Sequence, residues 1–346
     1  MKKFLLITLS SFCIYLFTGA PASADSEVFT VKGKDVDYTG VYPAHIKTVA
    51  VITPASYPAP KNFNKGIKLL RDAGLKVKVY PHVTMVPKDL AKNYLASIPV
   101  ELRVKDFEAA WCDMENDIII CARGGFGTQD LVANINWKKL PRRPELYVLG
   151  YSDVTMLLCA LSAKGYGHPL AGPSINSHPG LSKEIIPLMK NMLHGEEVKV
   201  KLTPLRSGDC SGKVVAGLLI RYTQVMKANY GLQTAGRIVI VESVGANSQK
   251  ITDYLDELLA AGFFKDVAAI VFGHITNTKD TTENIDAALK KFTEKVDVPV
   301  YTGFPFGHHT KHLVIDFFRS AEIKNNTIIF PACNAGSRTK KTDAEK

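Results

Sequence analysis

Residues 145–163 read ELYVLGYSDVTMLLCALSA. The first five, apolar after Glu145, lie between turn-forming residues, the pattern of a strand buried on both faces of a parallel sheet. Gly150-Tyr-Ser-Asp153 interrupts the run, and residues 154–163 continue apolar with helix-forming composition. A strand that passes through one sharp turn into a helix is half of a βαβ unit. Upstream, the same alternation recurs. Residues 48–52 (TVAVI) and 117–121 (DIIIC) read as buried strands, and 75–80 as a strand of alternating character. Residues 64–73 carry Ile67, Leu69 and Leu70 at helical spacing and stop at Gly74. Residues 100–111 are an amphipathic helix, and another helix starts near Gln129. Repeated strand, helix, strand predicts a parallel, doubly wound α/β sheet.

After Gly180 the pattern changes. A helix is expected over 182–194, followed by a Lys/Glu-rich stretch to about Asp209. Strands resume at 213–220, 237–241, 267–272, 298–301 and 327–330, with helices at 250–261 and 285–295. The expected organisation is therefore an N-terminal α/β domain over 25–180, a linker over 181–210, a C-terminal domain over 211–335 and a basic tail over 336–346.

The 346 residues are 46% hydrophobic and 22% charged. That composition excludes a disordered chain, a collagen and a coiled coil. Lys2 and Lys3, the uncharged run 4–17 and Ala22-Ser-Ala24 form the pattern of a cleaved secretory signal peptide over 1–24. The run is short for a membrane span, which needs about 20 apolar residues. A periplasmic or extracellular protein is expected. The formal charge of +10 is dispersed along the chain, and no basic stripe carries interleaved aromatics, so no nucleic-acid partner is expected. Of six cysteines, Cys13 falls in the leader. The other five form no CxxC pair, and Cys121 and Cys159 sit in apolar runs that suit buried thiols.

Three positions carry the chemical argument. The turn at Ser152 has the form of a nucleophile elbow, with the hydroxyl pushed out at the sheet edge and the Asp153 N–H aimed at a developing oxyanion. The competing reading is a simple helix cap by Ser152 or Asp153. The loop Ala122-Arg-Gly-Gly-Phe-Gly127 also follows a buried strand, where open α/β sheets bind ligands. It offers Gly124 and Gly125 as backbone donors and Arg123 as a substrate contact. A plain glycine turn with a surface arginine is its alternative. A serine needs a base, and the base an orienting acid. His308, in Gly303-Phe-Pro-Phe-Gly-His308, follows an expected strand; His309 and His312 stand beside it and compete for the role. The three could instead ligate a metal, but no acidic set accompanies them. Glu242 ends the run RIVIVE, where a buried carboxylate needs a partner. A strand-end charge turned to water is the alternative. The chain order Ser152, Glu242, His308 matches serine, acid, histidine.

Taken together, Ile52-Thr-Pro-Ala-Ser56, RVKDFEAA at 103–110, Arg123-Gly-Gly-Phe-Gly127, Gly150-Tyr-Ser-Asp-Val-Thr155, residues 239–242 and Phe306-Gly-His308 resemble the LD-carboxypeptidase family of serine peptidases, which also contains the microcin-immunity proteins. The likeness runs from about Ile46 to about Phe317. It implies a flavodoxin-like parallel sheet domain and a smaller C-terminal α/β domain with a barrel-like sheet, the active site between them, and a homodimer. It implies Ser152 as nucleophile, Glu242 as acid, His308 as base, and oxyanion donors from Asp153 and the glycine loop near Gly125. The implied reaction releases terminal D-alanine from a murein tetrapeptide without metal or organic cofactor. A related hydrolase acting on a peptide-nucleotide toxin and a non-catalytic cell-wall peptide-binding protein are the alternatives. Two positions depart from the family pattern. Phe126 stands where tyrosine is common, and Val215-Ala-Gly-Leu-Leu219 where a glycine-glycine-asparagine-leucine element is expected.

Overall fold

The computed structural model describes residues 36–85 and 97–333. The expected signal peptide at 1–24 and basic tail at 336–346 lie outside the described residues.

The first sheet is built from β1 (Thr48–Ile52), β2 (Lys76–Val79), β3 (Ile118–Cys121), β4 (Tyr147–Gly150) and β5 (His168–Ala171). They run parallel in the order β2-β1-β3-β4-β5, the flavodoxin-like arrangement. Every residue of β1 and β3 is buried, which is why both read as unbroken apolar runs. The connections carry α1 (Pro60–Asp72), α2 (Val100–Cys112), α3 (Thr128–Asn134) and α4 (Thr155–Lys164). Pro60 opens α1, where its missing N–H costs nothing. Helix α4 is apolar on nearly every side and is buried from Thr155 to Leu161. Such a helix must be covered all round; the second sheet supplies the other cover.

Between the sheets, α5 (Ile185–His194) leads into β6 (Val198–Lys201) and β7 (Thr203–Arg206). The stretch 181–210, expected as a linker, thus contains one helix and two strands. Edge strands such as VKVK and TPLR, with half their side chains in water, carry no apolar run by which to be read. Next come β8 (Cys210–Leu218), α6 (Leu219–Lys227), β9 (Ile238–Val244), α7 (Ser248–Ala260), β10 (Ala269–Thr276), α8 (Thr282–Thr293) and β11 (Val300–Thr302). β12 (Ile315–Asp316) returns to pair antiparallel with β5, and β13 (Ser320–Lys324) and β14 (Thr327–Phe330) complete the second sheet. Its order is β6-β14-β13-β8-β9-β10-β11-β7. The two end strands are successive in the chain, so the sheet is nearly closed and barrel-like. β5 (HPLA) escapes sequence reading because proline is rare inside sheets. The Pro169 carbonyl is nevertheless used, accepting from the Phe317 N–H at 3.2 Å.

The halves meet closely where β8 passes the start of α4. A Cβ on Gly217 would lie 2.4 Å from Thr155 Cγ2, so only glycine fits there. The neighbouring Leu218 N–H donates to Thr155 Oγ1 at 3.2 Å. Cys121 and Cys159 are buried, and burial pushes both thiols up. Among the described residues no helix is long and apolar enough to cross a membrane.

One buried histidine gives the fold a pH dependence. His178 Nδ1 faces the Ser174 carbonyl at 2.6 Å, and Nε2 faces the Tyr42 hydroxyl at 3.0 Å. Burial pushes this imidazole down to about 4 from 6.5. Between those values the unfolded chain binds the proton and the folded chain does not. Stability is therefore full above pH 6.5 and falls as the pH drops toward 4, by about 3 kcal/mol from this group. Urea midpoints for wild type and His178→Gln, taken at pH 7.5 and 4.5, check this. The wild type should lose more of its midpoint than the variant; equal losses would exclude the effect.

Candidate active site

β4 delivers the chain to Ser152 at the carboxyl end of the first sheet. Ser152 has φ +62°, the left-handed region, which costs a non-glycine residue about 1–2 kcal/mol. A one-turn 3-10 helix over Ser152–Val154 follows, and α4 starts at once. Neither Ser152 nor Asp153 caps α4 with its side chain. The Asp153 carboxylate instead accepts the Thr128 N–H at 2.9 Å. The strained turn has the form of a nucleophile elbow.

Two strands of the second sheet lead to the partners. Glu242 lies inside β9, opposite Leu218 of β8, and is 1% exposed. His308 sits on the turn after β11. That turn is held by backbone bonds from His274 N–H to the Phe306 carbonyl (2.8 Å) and from Leu313 N–H to the Pro305 carbonyl (2.8 Å). Gly307 has φ +120°, and a Cβ there would lie 2.7 Å from Glu242 Cβ. Glycine alone lets the turn press against the acid. His308 Nδ1 is then 2.9 Å from Glu242 Oε2, and Nε2 is 3.0 Å from Ser152 Oγ. A carboxylate accepts and does not donate, so the ring proton belongs on Nδ1 and Nε2 is left to accept from the serine hydroxyl. The strand-end reading of Glu242 is excluded by its burial and its bond to His308.

The neighbouring histidines are engaged elsewhere. The His309 ring stacks on His274 with centroids 4.1 Å apart, and its Nδ1 accepts from the Lys311 N–H. His312 is buried behind the site, edge-on to Tyr151 at 4.5 Å and to Phe306 at 4.8 Å, and burial holds its imidazole well below the usual range. Tyr151 in turn packs 5.0 Å from the His308 ring. Among the described residues no cluster of three or more His, Cys, Asp or Glu side chains could hold a metal.

The glycine loop lies against Ser152. The Gly124 carbonyl accepts from the Ser56 N–H at 3.2 Å, and Phe126 N–H donates to Ser56 Oγ at 3.1 Å. Arg103 bonds the carbonyls of Pro54 (2.8 Å) and Gly127 (2.6 Å) from below. Arg123 is half-buried at the rim and reaches the Tyr57 carbonyl at 3.4 Å. Phe126 is half-exposed. From the second sheet's side, Arg221 comes within 2.8 Å of Asp153 Oδ1 and donates to the Gly125 carbonyl at 3.2 Å. Burial pushes the Asp153 carboxyl up; Arg221 and Thr128 pull against that. Sequence reading missed Arg221, Arg103 and the part played by Ser56. Arg221 had one signal, a lone charge inside the apolar run at 214–225.

Residues 49–169 match the model of the LD-carboxypeptidase N-terminal domain, and residues 211–323 match that of its C-terminal domain. The chain belongs to the LD-carboxypeptidase family. A curated relative in Bacillus subtilis (strain 168), a probable murein peptide carboxypeptidase, is 27% identical over 282 residues, covering 78% of this chain and 86% of the relative. Among solved structures, a muramoyltetrapeptide carboxypeptidase from Oxalobacter formigenes superposes with TM-score 0.70 at 23% identity, over 82% of this chain and 97% of that one. An MccF-like protein from Bacillus anthracis str. Ames superposes with TM-score 0.72 at 19% identity, over 83% and 97%. The LD-carboxypeptidase fold thus spans both sheets of this molecule, and the chain is a serine-type enzyme of that family.

Proposed function

We propose that this protein is an exported LD-carboxypeptidase that releases terminal D-alanine from murein tetrapeptides, with Ser152 as nucleophile, His308 as general base and Glu242 as its orienting acid. The observation that carries the reading is the continuous chain of contacts from Ser152 Oγ through the His308 ring to Glu242, at 3.0 and 2.9 Å. The name of the Bacillus subtilis relative supports the substrate class. The lysine-led apolar run ending at Ala22-Ser-Ala24 supports export.

In this mechanism the Ser152 oxygen bonds to the amide carbon while its proton passes to His308 Nε2. Glu242 stabilises the imidazolium formed. The tetrahedral oxyanion takes hydrogen bonds from the Asp153 N–H and from the glycine loop near Gly125. The carbon–nitrogen bond then breaks, His308 returns its proton to the leaving amine, and D-alanine departs. Water attacks the acyl-enzyme with the same base, restoring the serine. Arg123 at the rim is a contact for the peptide.

Incubation with a murein tetrapeptide, with free D-alanine measured, tests the reading. Stoichiometric binding of the tetrapeptide with no D-alanine release would favour a binding protein and reject the enzyme assignment for this substrate.

A further inference from the structure

The loops proposed to supply the oxyanion donors both belong to the first sheet, yet the cation that joins them comes from the second. Arg221 lies in the first turn of α6 and is 6% exposed. Its Nε is 2.8 Å from Asp153 Oδ1, its Nη2 donates to the Gly125 carbonyl at 3.2 Å, and its Nη1 donates to Gln224 Oε1 at 2.5 Å. The guanidinium also covers the Phe126 ring, 5.0 Å from its centre. We propose that Arg221 is a positioning residue that sets the backbone amides of Asp153 and Gly125 for the oxyanion. The proposal rests on the reading of Ser152 as nucleophile.

Oxyanion donors act only when held at about 2.7–3.1 Å from the developing charge, so their placement is worth as much as their presence. Asp153 is held through its side chain, with Thr128 on one oxygen and Arg221 on the other. Gly125 has φ +109° and no side chain by which to be held. Its two peptides are pinned from outside. Ser56 holds the preceding one through the Gly124 carbonyl, and Ser56 and Arg221 hold the following one through the Phe126 N–H and the Gly125 carbonyl. The loop so fixed touches the nucleophile, since a Cβ on Gly124 would fall 2.8 Å from that of Ser152. Stability alone does not account for this arrangement, because a buried ion pair is close to neutral against an apolar pair of the same shape. The planar guanidinium does what lysine would not, pairing with the Asp153 carboxylate through charge while separate N–H groups bond the Gly125 carbonyl and Gln224.

The test uses a fluorophosphonate probe, which needs the nucleophile and the oxyanion site but no murein. The Ser152 oxygen bonds to phosphorus, fluoride leaves, and the serine proton goes to His308. Labelling rates and melting temperatures are measured for the wild type, Arg221→Lys, and the double variant Arg221→Met with Asp153→Asn. The double variant removes both members of the Arg221–Asp153 pair together, and the asparagine carbonyl can still accept from Thr128. We expect its melting temperature to stay near wild type while labelling slows on the order of 10²-fold, the loss from one misplaced oxyanion donor. Arg221→Lys keeps the charge and loses the planar guanidinium; it should fold normally and label about tenfold more slowly. Wild-type labelling rates in the folded variants would overturn the positioning role while leaving the nucleophile in place. A wild type that fails to label would instead remove the reading of Ser152, and this proposal with it. If the double variant fails to fold, the lysine variant alone decides.

Discussion

Ser152→Ala should abolish D-alanine release, by about 10⁶-fold in kcat, with the fold intact. In the proposed mechanism the serine oxygen is the atom that bonds to the substrate, and among the described residues His308 holds no other hydroxyl. When the nucleophile of such a triad is removed, what survives is the weak catalysis of the oxyanion site and of binding, and the losses of the three members do not add. The hydroxyl makes its bond to His308 at the surface of the elbow, not in the core, so its removal leaves packing unchanged. Alanine also tolerates the left-handed turn no worse than serine does. The expected result is therefore a melting temperature within a few degrees of wild type and a tetrapeptide that still binds. Turnover within tenfold of wild type would remove Ser152 from the chemistry.

His308→Ala should cost about 10⁴–10⁶-fold in kcat, while His309→Ala should change it only a few-fold. The two residues are adjacent in sequence and opposite in role. The His308 ring lies between Ser152 and Glu242, at 3.0 and 2.9 Å. The His309 ring faces the other way and stacks on His274. Without His308 the serine keeps its proton and the leaving amine has no donor. Glu242 is then buried without its imidazole partner, so this variant should also melt earlier than Ser152→Ala. The pair of kinetic measurements separates the candidates that chemistry alone leaves equal. A large loss in His309→Ala, with His308→Ala near wild type, would reassign the base.

The elbow at 150–155 was legible because a largely buried strand and a helix buried over its first seven residues both leave apolar runs, and a sharp turn between them leaves Gly150 and Ser152 in plain view. The same logic found β1 and β3. It failed at β5, whose proline masks a strand, and at β6 and β7, which lie at the sheet ends with half their side chains in water. It also failed at Arg103 and Arg221. A buried arginine is known by the carbonyls and carboxylates that surround it, and those come from distant segments.

The order of strands and helices from β1 to α4, the elbow, and the three residue types able to make a triad follow from local patterning, because burial writes its period into neighbouring residues. The placing of His308, and not His309 or His312, between Ser152 and Glu242, and the bridge made by Arg221, came only when the two sheets packed together. Each depends on contacts between segments far apart in the chain. Gly217 against Thr155 and Gly307 against Glu242 show the reason in miniature. Whether a glycine is required depends on what lies across from it, and only folding brings that neighbour within 3 Å.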